Sequence, residues 1–379
     1  MISVDPGTSS AATSSSPGAS GSPGNDEWTD PGTFEVAAGV FRIPLPLPND
    51  GLRAVNVYAV VDGDGLVLVD SGWDIPGARV MLGEALERIG CGLGDIRRFL
   101  VTHAHRDHYT LGVAVRDEIG TPVHLGAGER PTLELLHAPG HRALSPQLQQ
   151  IRRHGAGKLA DLLEAALADS GGQDQVQWEL PDAWIPEGPM VLDAGRTLTV
   201  VETPGHTRGH VVFHDADASL LFAGDHVLPR ITPSIGFEPM PIQNPLGAFL
   251  GSLARVRALP DAVLLPAHGP VASSVHARID ELVAHHDRRL AEIEHAVDSG
   301  DSTAWEVANR IRWTRRDRPL ADLDLFNQVL AVAETVAHLV LLEAQGRVRA
   351  TGEPVADAAT TPSGARGSDG VVELVRYRI

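Results

Sequence analysis

The chain has 379 residues, a formal net charge of −18, 43% hydrophobic residues and a mean hydropathy near zero. That length allows a large buried core and about two domains. The acidic balance repels polyphosphate backbones, so a small molecule rather than nucleic acid is the expected partner. No apolar run of about 18 or more residues stands out, so no membrane span is expected. The single cysteine, Cys91, excludes an intrachain disulfide and reads as a small buried hydrophobe closing a helix.

Residues 1–30 are rich in Ser, Gly, Pro, Ala and Thr. Such a segment cannot offset its ordering entropy by burial, and a disordered tail is expected. It has neither a basic n-region nor an apolar h-region, so no secretory signal is read and a cytoplasmic location is expected. Strands are predicted over 40–43, 56–61 and 66–69, the last two joined by the turn Asp62-Gly63-Asp64-Gly65. A helix follows over 76–89, a short strand at Phe99-Leu100-Val101, a helix over 110–119 and a strand over 122–125. A long helical stretch over about 143–169 reads as part of an insertion spanning 127–190. Strands resume at 197–201, 211–214 and 220–223, then a helix over 246–259 and a last strand over 263–265. Strands interleaved with helices imply layered sheets covered by helices, and the hairpins among them argue against a simple Rossmann sheet.

From about 273 the texture becomes helical. Ile279, Leu282, Val283, Leu290, Ile293 and Val297 share one helix face at 3.6-residue spacing. Gly300 ends that helix, and Ser302 or Thr303 caps a second over 304–311. A third runs over 323–343, and strands are predicted at 347–350 and 371–379. Three helices and a terminal hairpin suggest a winged-helix-like domain over 273–379, after a main domain over 31–272.

The chemistry concentrates in Thr102-His103-Ala104-His105-Arg106-Asp107-His108, where a strand gives way to a helix. Residues two apart in extended chain point the same way, so His103 and His105 can grip one ion. Asp107 and His108 follow as the chain turns and can face a second. Imidazole and carboxylate suit zinc, and also iron or manganese. Three more segments leave predicted strand ends beside small residues, and they carry His206, Asp225 and His268.

In these motifs, and in Val69-Asp70-Ser71-Gly72, the sequence resembles the metallo-β-lactamase superfamily over roughly residues 35–270. The resemblance implies an α/β protein, an αββα sandwich with a C-terminal winged-helix-like domain. It implies two divalent metal ions, with His103, His105 and His206 on the first, Asp107, His108 and His268 on the second, and Asp225 bridging. Asp70 would orient a ligand histidine, and His210 would support the site without binding metal. A metal-bridging hydroxide would be the nucleophile, with Asp107 handling the leaving-group proton. His226 is read as packing, and His285 and His286 as satisfied residues on a helix face.

Within the superfamily, flavodiiron proteins carry glutamate where His105 stands, and antibiotic-hydrolysing subclasses lack an aspartate at the position of Asp225. The set looks instead like the glyoxalase II, lactonase and phosphodiesterase type. The C-terminal helices resemble the lactamase-beta-like group, which includes endoribonucleases and polyketide thioesterases. The leading expectation is hydrolysis of a thioester, ester or lactone. Alternatives are a phosphodiesterase or endoribonuclease, a mononuclear-iron persulfide dioxygenase, and a non-catalytic binding protein. The leucines of the insertion, with residues 231–240, are expected to form an apolar wall for an acyl-bearing substrate. The C-terminal domain is read as packing, pocket-wall or dimer-forming material. Arg312, Arg315, Arg316 and Arg318 are read as a solvated basic loop.

Overall fold

The computed structural model describes residues 27–47, 51–138, 144–169, 178–297, 300–351 and 374–379. Most of the expected tail, parts of the insertion and the start of the last predicted strand lie outside them. Of the tail, Glu27–Thr29 forms a short 3-10 turn, and the Trp28 carbonyl accepts from Arg42 at 2.6 Å.

Two sheets carry the main domain. The first has seven strands in chain order: β1 (Phe34–Ala37), β2 (Val40–Pro46), β3 (Ala54–Asp62), β4 (Gly65–Val69), β5 (Ile96–Val101), β6 (Val123–Gly126) and β7 (Ala183–Ile185). The second runs β12-β11-β10-β9-β8, with β8 (Gly188–Val191), β9 (Thr197–Glu202), β10 (Val211–Asp215), β11 (Leu220–Gly224) and β12 (Val263–Pro266). Alternation along each strand divides its side chains between two cores. Val67, Val69 and Leu100 face Phe213, Leu220, Phe222 and Leu265 between the sheets. Leu66, Leu68, Phe99 and Val101 face outward, under helices α1 (Ala78–Glu87) and α2 (Arg106–Ile119). Val212, Leu221, Ala223 and Leu264 leave the other side of the sandwich, under α6 (Pro245–Arg257) and α7 (Val275–Val297). The layers therefore stack helix, sheet, sheet, helix, as the resemblance implied.

The insertion contains α3 (Arg130–His137), α4 (Ser145–Arg153) and α5 (Gly157–Asp169). Beyond α7 come α8 (Ala304–Arg310), α9 (Leu325–Ala344) and the antiparallel pair β13 (Arg349–Thr351) and β14 (Arg376–Arg378). Leu148, Ile151, Leu159 and Leu163 of the insertion share one buried core with α7, α8 and α9. His154 stacks on Tyr377 at 6.1 Å, and its carbonyl accepts from Trp305 N at 3.1 Å. Leu133 is buried under the first sheet, and Leu162 is exposed. Of the expected apolar wall, Leu148, Leu159 and Leu163 therefore hold the C-terminal helices to the insertion, while Leu133 and Leu162 do not.

By length and composition α9 could cross a membrane, which a search for uninterrupted apolar runs does not register. Its apolar window is 61% buried inside the protein, as expected of a helix packed on several sides. Cys91 follows α1 and is half-buried rather than sealed in the core.

Candidate metal centre

Four strand ends deliver the candidate ligands to one edge of the sandwich, and a fifth brings Asp70 beside them. β4 ends at Asp70, β5 runs into His103 and His105, β9 precedes the loop to His206, β11 ends beside Asp225, and β12 precedes His268. α2 begins at Arg106, four residues earlier than the pattern predicts, so Asp107 and His108 occupy its first turn. An acidic side chain is stabilised there by the unpaired N–H groups of the helix end. Gly205, at φ 142, lets the His206 loop pass against α6; a Cβ there would lie 2.5 Å from Phe249 Cα.

The ligand atoms form two groups, each with all its atoms within 4.8 Å of one another: His103, His105, His206 and Asp225; and Asp107, His108 and His268. Asp225 joins them. Its Oδ2 lies 3.4 Å from His206 Nε2, and its Oδ1 lies 3.7 Å from His108 Nε2 and 3.3 Å from His268 Nε2. His105 and Asp107 are half-buried and mark the open side, while the other five are buried.

The hydrogen bonds behind the rings aim their lone pairs inward. His206 Nδ1 donates to the Ser234 carbonyl at 2.8 Å, and His268 Nδ1 donates to the Ala54 carbonyl at 2.8 Å. A carbonyl only accepts, so each ring carries its proton on Nδ1 and presents a bare Nε2. His108 Nδ1 meets Asp70 Oδ2 at 2.9 Å, and His103 Nδ1 meets Thr102 Oγ1 at 3.0 Å. Asp70 Oδ1 accepts from Thr102 N at 2.8 Å and Oγ1 at 2.9 Å, so one carboxylate sets two ligand segments. His103 Nε2 and His206 Nε2 lie 2.9 and 3.1 Å from His105 Nδ1. Three ring nitrogens converging this closely fit around a cation. His108 Nε2, His268 Nε2 and Asp225 Oδ1 are buried without a hydrogen-bond partner, which fits a cation on the second side as well. The donor set fits a metal on both sides.

The two groups differ electrostatically. Burial, then the facing imidazoles, pushes His103 far down and His105 down to about 3. Burial also lowers His206, against the pull of Asp225. On the second side burial opposes the charged forms, but the carboxylates win. Asp107, Asp70 and Asp225 hold His108 up at about 10, and Asp225 and Asp107 raise His268. Against burial, His108 and His268 hold Asp107 below the usual carboxylate range, and His268, His108 and His206 do the same for Asp225.

His210 lies behind this site. Its ring stacks on His103 at 4.9 Å, its Nδ1 meets Thr203 Oγ1 at 2.8 Å, and its Nε2 accepts from Asp225 N at 3.1 Å. His226 is buried between His210 and Phe249. The expectation for His286 is corrected. It is buried where α7 meets α6 and α9, 3.2 Å from His338 Nε2, and its own Nε2 has no partner. α7 is covered on two sides, which a single apolar stripe does not reveal.

The sequence reading missed Ser234 and Glu129. Ser234 acts through its carbonyl, which has no residue signature. Glu129 is fully buried, takes the Thr207 hydroxyl as donor, and is pushed up to about 7 by burial. It braces the His206 loop together with Glu238, which accepts from Arg208 N at 2.8 Å. Neither glutamate sits in a ligand motif.

Residues 50–268 match the model of the metallo-beta-lactamase superfamily, which is more than half of the chain. The chain belongs to the metallo-beta-lactamase superfamily. It is 27% identical to the Bacillus subtilis protein named "Probable metallo-hydrolase YqjP", over 80% of this chain and 91% of that one. It is 26% identical to the "Lactamase-like protein nscB" of Aspergillus fumigatus, over 69% of this chain and 62% of that one. Among solved structures, a metallo-beta-lactamase family protein of Thermus thermophilus aligns with TM-score 0.67 and 26% identity, over 91% of this chain and 99% of that one. A beta-lactamase domain protein of Burkholderia ambifaria aligns with TM-score 0.70 and 28% identity, over 91% and 93%. The superfamily match and the His/Asp cluster together make this a metallo-hydrolase of that superfamily.

Proposed function

We propose that this metallo-hydrolase holds two divalent ions and cleaves a carbonyl substrate, a thioester, ester or lactone. The observation that carries the two-ion reading is the pair of inward-facing donor groups joined by Asp225. His103, His105 and His206 would hold the first ion, Asp107, His108 and His268 the second, and Asp225 would bridge. This donor set favours Zn2+ and also suits iron or manganese. Bound there, the ions supply Lewis acidity and water that is nucleophilic near neutral pH.

The chain's own residues do the rest. Asp70, Thr102, Ser234 and the Ala54 carbonyl fix the tautomer and direction of the rings. His226 and Phe249 close the back of the site against water. Asp107 sits on the open side, with its side chain 19% exposed, where a carboxylate can pass a proton to a departing thiolate or alkoxide. The loop that supplies the Ser234 carbonyl also carries Ile235 and Phe237, and Phe237 packs edge-on against the exposed Phe326 of α9 at 5.6 Å. Apolar surface beside the centre suits an acyl-bearing molecule, and the net charge of −18 disfavours a polyanion there.

We read residues 31–272 as the catalytic unit and 273–379 as a winged-helix-like unit. The helix order α7-α8-α9 and the β13–β14 pair support that reading. A one-iron persulfide dioxygenase would leave the Asp107, His108 and His268 group without a task.

The test is thiol release from a panel of acyl-thioesters by metal-replete protein, with His103→Ala as the blank. Release that vanishes in the variant supports carbonyl hydrolysis. No release above the blank, with metal bound and phosphodiesters cleaved or oxygen consumed instead, overturns it.

A further inference from the structure

A basic feature of this acidic chain lies outside the ligand motifs. A cleft of about 630 Å³ opens between the second half of α7, the end of α8 and the loop after it. Its walls carry Arg288, Arg289, Arg310 and Arg312 against Glu292 and Asp317, two positive charges in excess.

The cleft is built rather than merely solvated. Trp313 N donates to the Arg318 carbonyl, and Arg318 N donates to the Trp313 carbonyl, both at 2.8 Å. The enclosed turn has Thr314 and Asp317 at positive φ and presents Arg315 and Arg316 at its tip. Trp313 is buried, its Nε1 donates to the Ala308 carbonyl at 2.9 Å, and the Arg289 guanidinium lies over its ring at 4.5 Å. Arg289 is itself only 8% exposed. It reaches Glu292 Oε2 at 3.0 Å and the Arg312 carbonyl at 2.8 Å, yet its buried Nε has no acceptor. Among the described residues, Arg288, Arg312, Arg315 and Arg316 make no ion pair.

We propose that this cleft binds a small phosphate-bearing ligand of about nucleoside diphosphate size. A single carboxylate could satisfy one guanidinium fork. A diphosphate carries enough charge and enough oxygens to engage several. The volume lies within the roughly 300–1,000 Å³ of small-molecule sites, well above what one inorganic phosphate fills. A nucleic-acid polymer would need the basic surface to continue past the cleft, against the net charge of −18.

Calorimetric titration of ADP and of inorganic pyrophosphate into the full metal-loaded chain tests this, with an Arg288→Ala, Arg312→Ala double variant in parallel. Both arginines are exposed and remote from the ligand motifs, so fold and metal content should be unchanged. Metal content is checked because ADP also binds metal ions. The expected result is saturable binding that weakens with salt and weakens at least tenfold in the double variant. Unchanged affinity in the variant overturns the site. So does the absence of binding, and so does binding of a short single-stranded RNA without binding of ADP.

Discussion

Asp70→Asn tests how the centre is oriented. Asp70 is 2% exposed and sits at φ 60, a left-handed conformation that asparagine tolerates. Its Oδ1 takes both Thr102 donors, at 2.8 and 2.9 Å, and an amide oxygen can keep them. The amide nitrogen then replaces Oδ2, which lies 2.9 Å from His108 Nδ1. An N–H cannot accept, so His108 must move its proton to Nε2, the atom that faces Asp107 and Asp225. The inward lone pair is lost. A hydrogen bond to a charged group contributes about 1.5–3 kcal/mol, and about 1.4 kcal/mol is tenfold. Affinity at the Asp107, His108 and His268 group should therefore fall about tenfold to a hundredfold. Unfolding stability should fall by no more than about 3 kcal/mol, because the Thr102 bonds remain. Competition with a chelator of known affinity, with metal content measured on the same samples, reads the effect. An Asp70→Asn protein that keeps both ions with unchanged affinity refutes the tautomer argument.

Gly205→Ala should cost roughly 2–5 kcal/mol, from backbone strain and a clash with α6, read by thermal unfolding; an unchanged midpoint would contradict the close approach seen at Phe249. Glu129 has its folded-state pKa raised from 4.5 to about 7, so it costs stability as pH climbs through that window. The loss is complete above about pH 7, nothing is lost below about pH 4.5, and it amounts to about 3 kcal/mol. Denaturant unfolding at several pH values should show this slope in the parent and a shallower one in Glu129→Gln. Metal at a thousandfold excess over its Kd should stabilise the chain by about 4 kcal/mol. A chelator-treated sample with the same unfolding midpoint as the loaded one would mean that the convergent lone pairs hold no ion.

Periodicity and spacing carried much of this protein. Alternating residues such as Leu66-Val67-Leu68-Val69 are apolar throughout, which marks a strand covered on both faces, and this one divides between two cores. His103, His105, Asp107 and His108 lie within six residues, and short-range geometry alone brings their side chains together. The start of α2 was misplaced because Arg106–Tyr109 is polar and has no apolar period. Its helical state depends on His105, whose carbonyl accepts from both His108 N and Tyr109 N.

Only the tertiary structure decided the rest, because it depends on contacts between residues far apart in the chain. Amphipathic leucines at 148–163 announce that a face is buried, but not what buries it; here it is α9. The Ser234 and Ala54 carbonyls set two histidine tautomers from segments with no motif, since any residue has a carbonyl. His286 reads as a helix-face residue until α6 and α9 close over it. Ligand identity is a property of side chains and is written locally. Ligand direction is a property of the packed backbone, and it exists only once the sandwich has closed.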